Sequence, residues 1–138
     1  LEPAVLRLCR ILRDADKMDI LDVLIDYYTS RENGSNPALD LELPPGCALS
    51  DGALADIDAG RSVAIGNVQS IQDFRLLQAA WVFDIHSTWA MERLRRTGHI
   101  DWLLEQLPPG TGADRASRRI HDYMKNFTPT ILPYSARV

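Results

Sequence analysis

Apolar positions between residues 3 and 28 recur at spacings of three and four without interruption, which predicts one long amphipathic helix. At about 100° per residue, Val5, Cys9, Leu12, Ile20, Val23 and Tyr27 fall within about 40° of Asp16. The pattern therefore predicts a core-facing stripe with a carboxylate at its centre. Asp14 projects almost directly away from that stripe, and Asp19 lies on its flank. An ionised carboxylate buried without a partner is too costly to keep. Asp16 is expected to meet a metal ion, a cation or hydrogen-bond donors, or else to hold a proton. A buried ion pair with Arg13, or with a basic residue of a later helix, answers that need as well as a metal does.

The rest of the chain reads as shorter helices. Pro3 suits a first helical turn, and Asn33-Gly34 supplies the left-handed turn that stops the helix. Residues 35–49 hold three prolines and little periodicity, predicting a surface loop whose Leu39, Leu41 and Leu43 pin it to the core or form a short strand. Ser50 or Asp51 caps a helix running to residue 59, closed by Gly60. Residues 61–68 connect, with 62–65 extended. Ser70 then caps a strongly apolar helix over 71–85, with Phe74, Leu77, Trp81 and Ile85 as its stripe. Thr88 caps a helix over 89–96 with Trp89, Met91 and Leu94 inward, and Gly98 ends it. Short and long helices follow over 100–107 and 113–127, separated by Pro108-Pro109-Gly110, before an extended tail through Tyr134. The whole is an all-α single domain, residues 1–138, of five or six helices without internal repeats.

Composition narrows the function. The 138 residues, 46% hydrophobic, suffice for a real core. A net charge of −4 argues against a dedicated nucleic-acid binder, and the cluster Arg93, Arg95, Arg96 is too short to reverse that. Cys9 and Cys47 have no motif spacing and read as reduced thiols of a cytoplasmic protein. No apolar run reaches the length of a membrane span. There is no phosphate-cradling glycine loop, no nucleophile elbow, and no zinc spacing among His86, His99 and His121. His121-Asp122 is a literal His-Asp pair, but neighbouring helical residues diverge by about 100°, so the two cannot share one face. His86 is placed to cap carbonyls or line a pocket, and His99 to sit exposed in a turn.

The run Arg13-Asp14-Ala15-Asp16-Lys17-Met18-Asp19 resembles the last motif of the HD-domain metal-dependent phosphohydrolases, an Ala-Asp followed by Lys or Arg and an apolar residue. A looser likeness to bacterial HD-domain proteins covers residues 71–78 and Trp81-Val82-Phe83-Asp84. The resemblance implies an HD-domain-like helical fold and metal-assisted hydrolysis of a phosphate ester or nucleotide. The divalent metal would be Mn, Fe, Co, Ni or Mg. It makes Asp16 a metal ligand, with Lys17 a weaker candidate for meeting phosphate and Asp19 for buttressing the ligand. In that family a histidine and then a His-Asp pair precede the Ala-Asp motif, whereas no histidine precedes Asp16 here. The resemblance thus implies either the C-terminal portion of such a domain, truncated at its N-terminus, or a lost metal site. In both cases this chain alone is expected to be inactive. The alternative is a non-catalytic helical domain that binds a partner or nucleotide, with Asp16 kept for structure. Expected partners are a phosphorylated small molecule or nucleotide, and a second copy of the chain in a homodimer through Trp102 and Tyr134; no membrane is expected.

Overall fold

In the computed structural model, residues 2–30, 43–44 and 48–131 are described. Among them are six α-helices: α1 (Pro3–Thr29), α2 (Asp51–Asp58), α3 (Ile71–Ala79), α4 (Thr88–Thr97), α5 (His99–Glu105) and α6 (Thr111–Lys125). Two short 3₁₀ turns, Ile65–Asn67 and Ala80–Asp84, complete the regular structure. The all-α expectation holds. Cys47, Tyr134 and the leucines at 39 and 41 lie outside the described residues, as do most of loop 35–49 and the tail beyond Ile131.

Three serines start three helices in the same way. The Oγ atoms of Ser50, Ser70 and Ser87 accept from the backbone N–H of Ala53, Asp73 and Ala90, at 3.2, 3.3 and 3.2 Å. Each satisfies a donor that the first helical turn leaves open, and such a cap contributes about 1 kcal/mol. Thr88 was the expected cap of α4, but Ser87 takes that place and Thr88 becomes the first helical residue. Gly60 and Gly98 adopt positive φ of 73° and 69°, closing α2 and α4 as expected.

The expected helix over 71–85 divides. After Ala79 the chain tightens into the Ala80–Asp84 3₁₀ turn, where Trp81-Val82-Phe83 has weak helix propensity. Leu76, Ala80, Val82 and Ile85 are buried, while Phe74, Trp81 and Phe83 are only partly so. Trp89, expected inward, is 53% exposed.

α3 lies centrally, packed against α2, α5 and the 3₁₀ turn that follows it; α6 closes over α2 and that same turn. α1 lies across α4 and α5. Leu21, Ile57, Leu76, Met91, Ile100 and Ile120 are among the large side chains fully enclosed where these elements meet.

Candidate functional site

α1 has two apolar faces, and the structure covers the one that the stripe argument did not choose. Asp14, Met18, Leu21 and Ile25, spaced four, three and four, are buried against the rest of the chain. The stripe centred on Asp16 points the other way: Leu12 is 67% and Val23 53% exposed, with Val5, Cys9, Ile20 and Asp16 itself also exposed. The periodicity was sound, but it does not say which of two apolar faces meets the rest of this chain. Asp16 is therefore exposed, and neither Arg13 nor any later basic residue among the described residues pairs with it.

The enclosed carboxylate of the motif is Asp14, at 0% exposure. Its Oδ2 accepts from the Ser87 backbone N–H at 2.8 Å and the Ser87 hydroxyl at 2.6 Å, and Oδ1 accepts from the His86 N–H at 3.0 Å. Ser87 Oγ thus donates to Asp14 while accepting from Ala90 N–H. The carboxylate sits at the positive end of α4, so charge–dipole attraction adds to the hydrogen bonds. With its two oxygens occupied in this way, Asp14 joins α1 to α4.

Beside it, Asp84 Oδ2 takes two cations from α1: Arg13 Nη2 at 2.8 Å and Lys17 Nζ at 3.1 Å. Lys17, the candidate for meeting phosphate, is only 12% exposed and is engaged in this pair. Asp19 is exposed, with no ion pair or hydrogen bond among the described residues. Arg10 Nη1 reaches the Thr130 carbonyl at 3.5 Å.

The histidines are all engaged. His86 Nδ1 lies 2.9 Å from Thr130 Oγ1, while its Nε2 is shielded without a hydrogen-bond partner. Burial pushes its pKa below the ordinary value near 6.5, although Asp14 and Asp84 pull the other way. His99 does not stand free in a turn. Its Nε2 lies 2.8 Å from Asp22 Oδ1, and Arg93 holds Asp22 Oδ2 at 2.7 Å, tying α1 to α4 and α5. Burial alone would raise the Asp22 pKa, but the bonds from His99 and Arg93 outweigh it and hold the carboxyl below its usual range. His121 Nε2 meets Asp101 Oδ1 at 2.7 Å, apart from all of these.

Two more carboxylates are buried for structure. Asp56 accepts from Ala64 N–H, Asn67 Nδ2 and Arg61 Nε, and those bonds, the Ala64 one first, depress its pKa. Asp73 accepts from the backbone of Ser50 and Gln69. The sequence carried a signal for Asp14, namely its four-three-four spacing with Met18, Leu21 and Ile25; for Asp56 and Asp73 it carried none beyond a carboxylate in the first turn or body of a short helix.

Among the described residues, no three His, Cys, Asp or Glu side chains converge where a metal ion could be held. A divalent ion on mixed nitrogen and oxygen ligands needs several such groups, so these residues alone do not fit the metal that the motif resemblance implies. No described helix is long and apolar enough to cross a membrane. Trp102, a candidate for a contact between copies, is half-buried and stacked on Tyr28 at 5.8 Å. Comparison with family models, curated proteins and solved structures finds no match.

Proposed function

We propose that the uncovered face of α1 is one side of a joint, and that the assembly it completes is a metal-dependent phosphohydrolase of the HD type. The observation that carries this is the exposed stripe with Asp16 at its middle. A helix apolar on both sides is an interior helix, yet among the described residues α1 is packed on one side only. Covering the other side would draw Asp16 out of water, where a carboxylate needs a cation or, as at Asp14, hydrogen-bond donors, and a metal ion answers that need. A second copy of the same face fits poorly, because each would press its own Asp16 into the apolar stripe of the other. A helical body bearing the histidine and His-Asp ligands of the family fits both needs. It offers apolar surface to the stripe and a divalent ion to Asp16. That ion would supply a bound hydroxide and neutralise charge on a phosphoryl group. Asp14, Lys17 and Asp84 then form the scaffold behind α1 and take no part in the chemistry.

The test is metal content and phosphatase activity of the intact gene product against a panel of phosphomonoesters and nucleotides. Asp16→Asn is expected to remove both metal and activity while leaving the fold intact. Turnover that survives this substitution would refute the reading.

A second reading draws on the missing ligand cluster among the described residues. Here the domain docks a protein through α1 without catalysis, and the partner offers Lys or Arg to Asp16. An intact protein that holds no stoichiometric metal, yet loses its partner on Asp16→Lys, selects this reading.

A further inference from the structure

The C-terminal ends of α4 and α6 and the start of α5 surround an open cavity of about 350 Å³ that neither reading above uses. Its apolar surface comes from Leu94, Ile100 and Met124, all core residues that nonetheless border this space. Arg95, Lys125 and the His121–Asp101 pair complete its lining. Its charge is unbalanced. Asp101 Oδ1 lies 2.7 Å from His121 Nε2, whereas Arg95 and Lys125 have no carboxylate partner among the described residues, so two cations stand against one carboxylate. Arg95 donates through Nη2 to the Met124 carbonyl in the last turn of α6, its one hydrogen bond among the described residues, which holds the guanidinium beside the cavity. A guanidinium has five N–H donors, so most of its capacity remains open.

We infer that this cavity is a binding site for a compact organic anion, an apolar body carrying one carboxylate or phosphate group. The apolar body would lie on Leu94, Ile100 and Met124, and the anionic group would meet Arg95 and Lys125. The volume falls at the small end of ligand pockets, which limits the body to about one ring. Cations at the ends of α4 and α6 have an ordinary use as well, since they complement helix C-termini. That use explains the Arg95 contact to Met124 but not an apolar hollow opening beside two unmatched charges. The inference stands apart from the joint on α1, so either can fail without the other.

The experiment is a titration of the ¹⁵N-labelled intact protein with benzoate, phenyl phosphate and the uncharged benzyl alcohol, followed by amide chemical shifts. Benzoate and phenyl phosphate as separate arms decide between carboxylate and phosphate. Saturable shifts confined to residues 94–101 and 121–125 are expected with at least one anion, and much weaker ones with benzyl alcohol. Lys125→Gln, at an exposed position, is expected to weaken binding roughly tenfold by removing one charge-assisted contact. Arg95→Lys keeps the charge while losing the fork and is expected to weaken it by a smaller factor. Shifts that never saturate with either anion, or an affinity indifferent to both substitutions, would overturn the assignment.

Discussion

Asp14 and Asp16 stand two residues apart and differ in almost every physical respect. Asp14 is sealed behind α1 with three donors aimed at it; Asp16 faces water. Removing Asp14 strands the N–H groups of His86 and Ser87 inside the protein, where each lost partner carries a desolvation cost. Asp14→Ala is therefore expected to lower unfolding stability by about 3 kcal/mol, and Asp16→Ala by less than about 0.5 kcal/mol, read from urea midpoints. Equal losses would mean that the α1–α4 link is not where the structure puts it. His86 adds a pH signature. Its folded-state pKa is depressed by burial, so below the unfolded value near 6.5 the unfolded chain binds the proton more readily than the folded one. Stability should fall as pH drops from about 6.5 towards the depressed value, and His86→Gln should flatten that segment of the profile. Asp56 acts lower on the scale. Its depressed carboxyl stabilises the fold above about pH 3.9 and loses that effect as acid protonates it, so Asp56→Asn should blunt acid unfolding at the expense of stability at neutral pH.

At the scale of elements, helix boundaries followed from local chemistry that the sequence displays openly. Ser50, Ser70, Gly60 and Gly98 cap or close helices where their residue types predict. Local rules failed where packing decides. The same stripe arithmetic that marks Asp16 marks Asp14 on the opposite side, and only the position of α4 and α5 selects between them. Equally, no nearest-neighbour rule places His99 against Asp22, which lies 77 residues away. The unpartnered face of α1 gives this scale its prediction. Leu12→Ser and Val23→Ser alter side chains that touch little of the described fold, so each should change stability by less than about 0.5 kcal/mol. Both should nevertheless reduce binding of a hydrophobic dye and weaken capture of the body proposed to cover α1. A loss of several kcal/mol from either would mean that the stripe already packs inside the chain. Gly98→Ala isolates a backbone effect in the same way. A Cβ there meets no atom within 4 Å, so the expected cost of about 1 kcal/mol arises wholly from the left-handed φ of 69°.

For the whole molecule, the candidate chemistry turns on whether one carboxylate can act alone. The Arg13–Asp19 motif made Asp16 visible in the sequence, but a metal centre is a property of several chain segments meeting, and no three candidate ligands converge among the described residues. Binding energy enters stability only through a site that the folded state forms and the unfolded state lacks. A single exposed carboxylate is much the same in both, so saturating Mn²⁺ or Ni²⁺ should leave the melting temperature of the 138-residue chain unchanged. The same ions should leave it without measurable phosphatase turnover. If the proposed covering body completes the site, its ligands would converge only in the folded assembly, and metal at about a hundred times its dissociation constant should add about 2.7 kcal/mol. Asp16→Asn should cancel most of that gain, whereas Asp14→Asn should lower the baseline without changing the increment. A metal-dependent rise in melting temperature for the 138-residue chain itself would show that its own residues already form the centre, and that the joint on α1 serves another purpose.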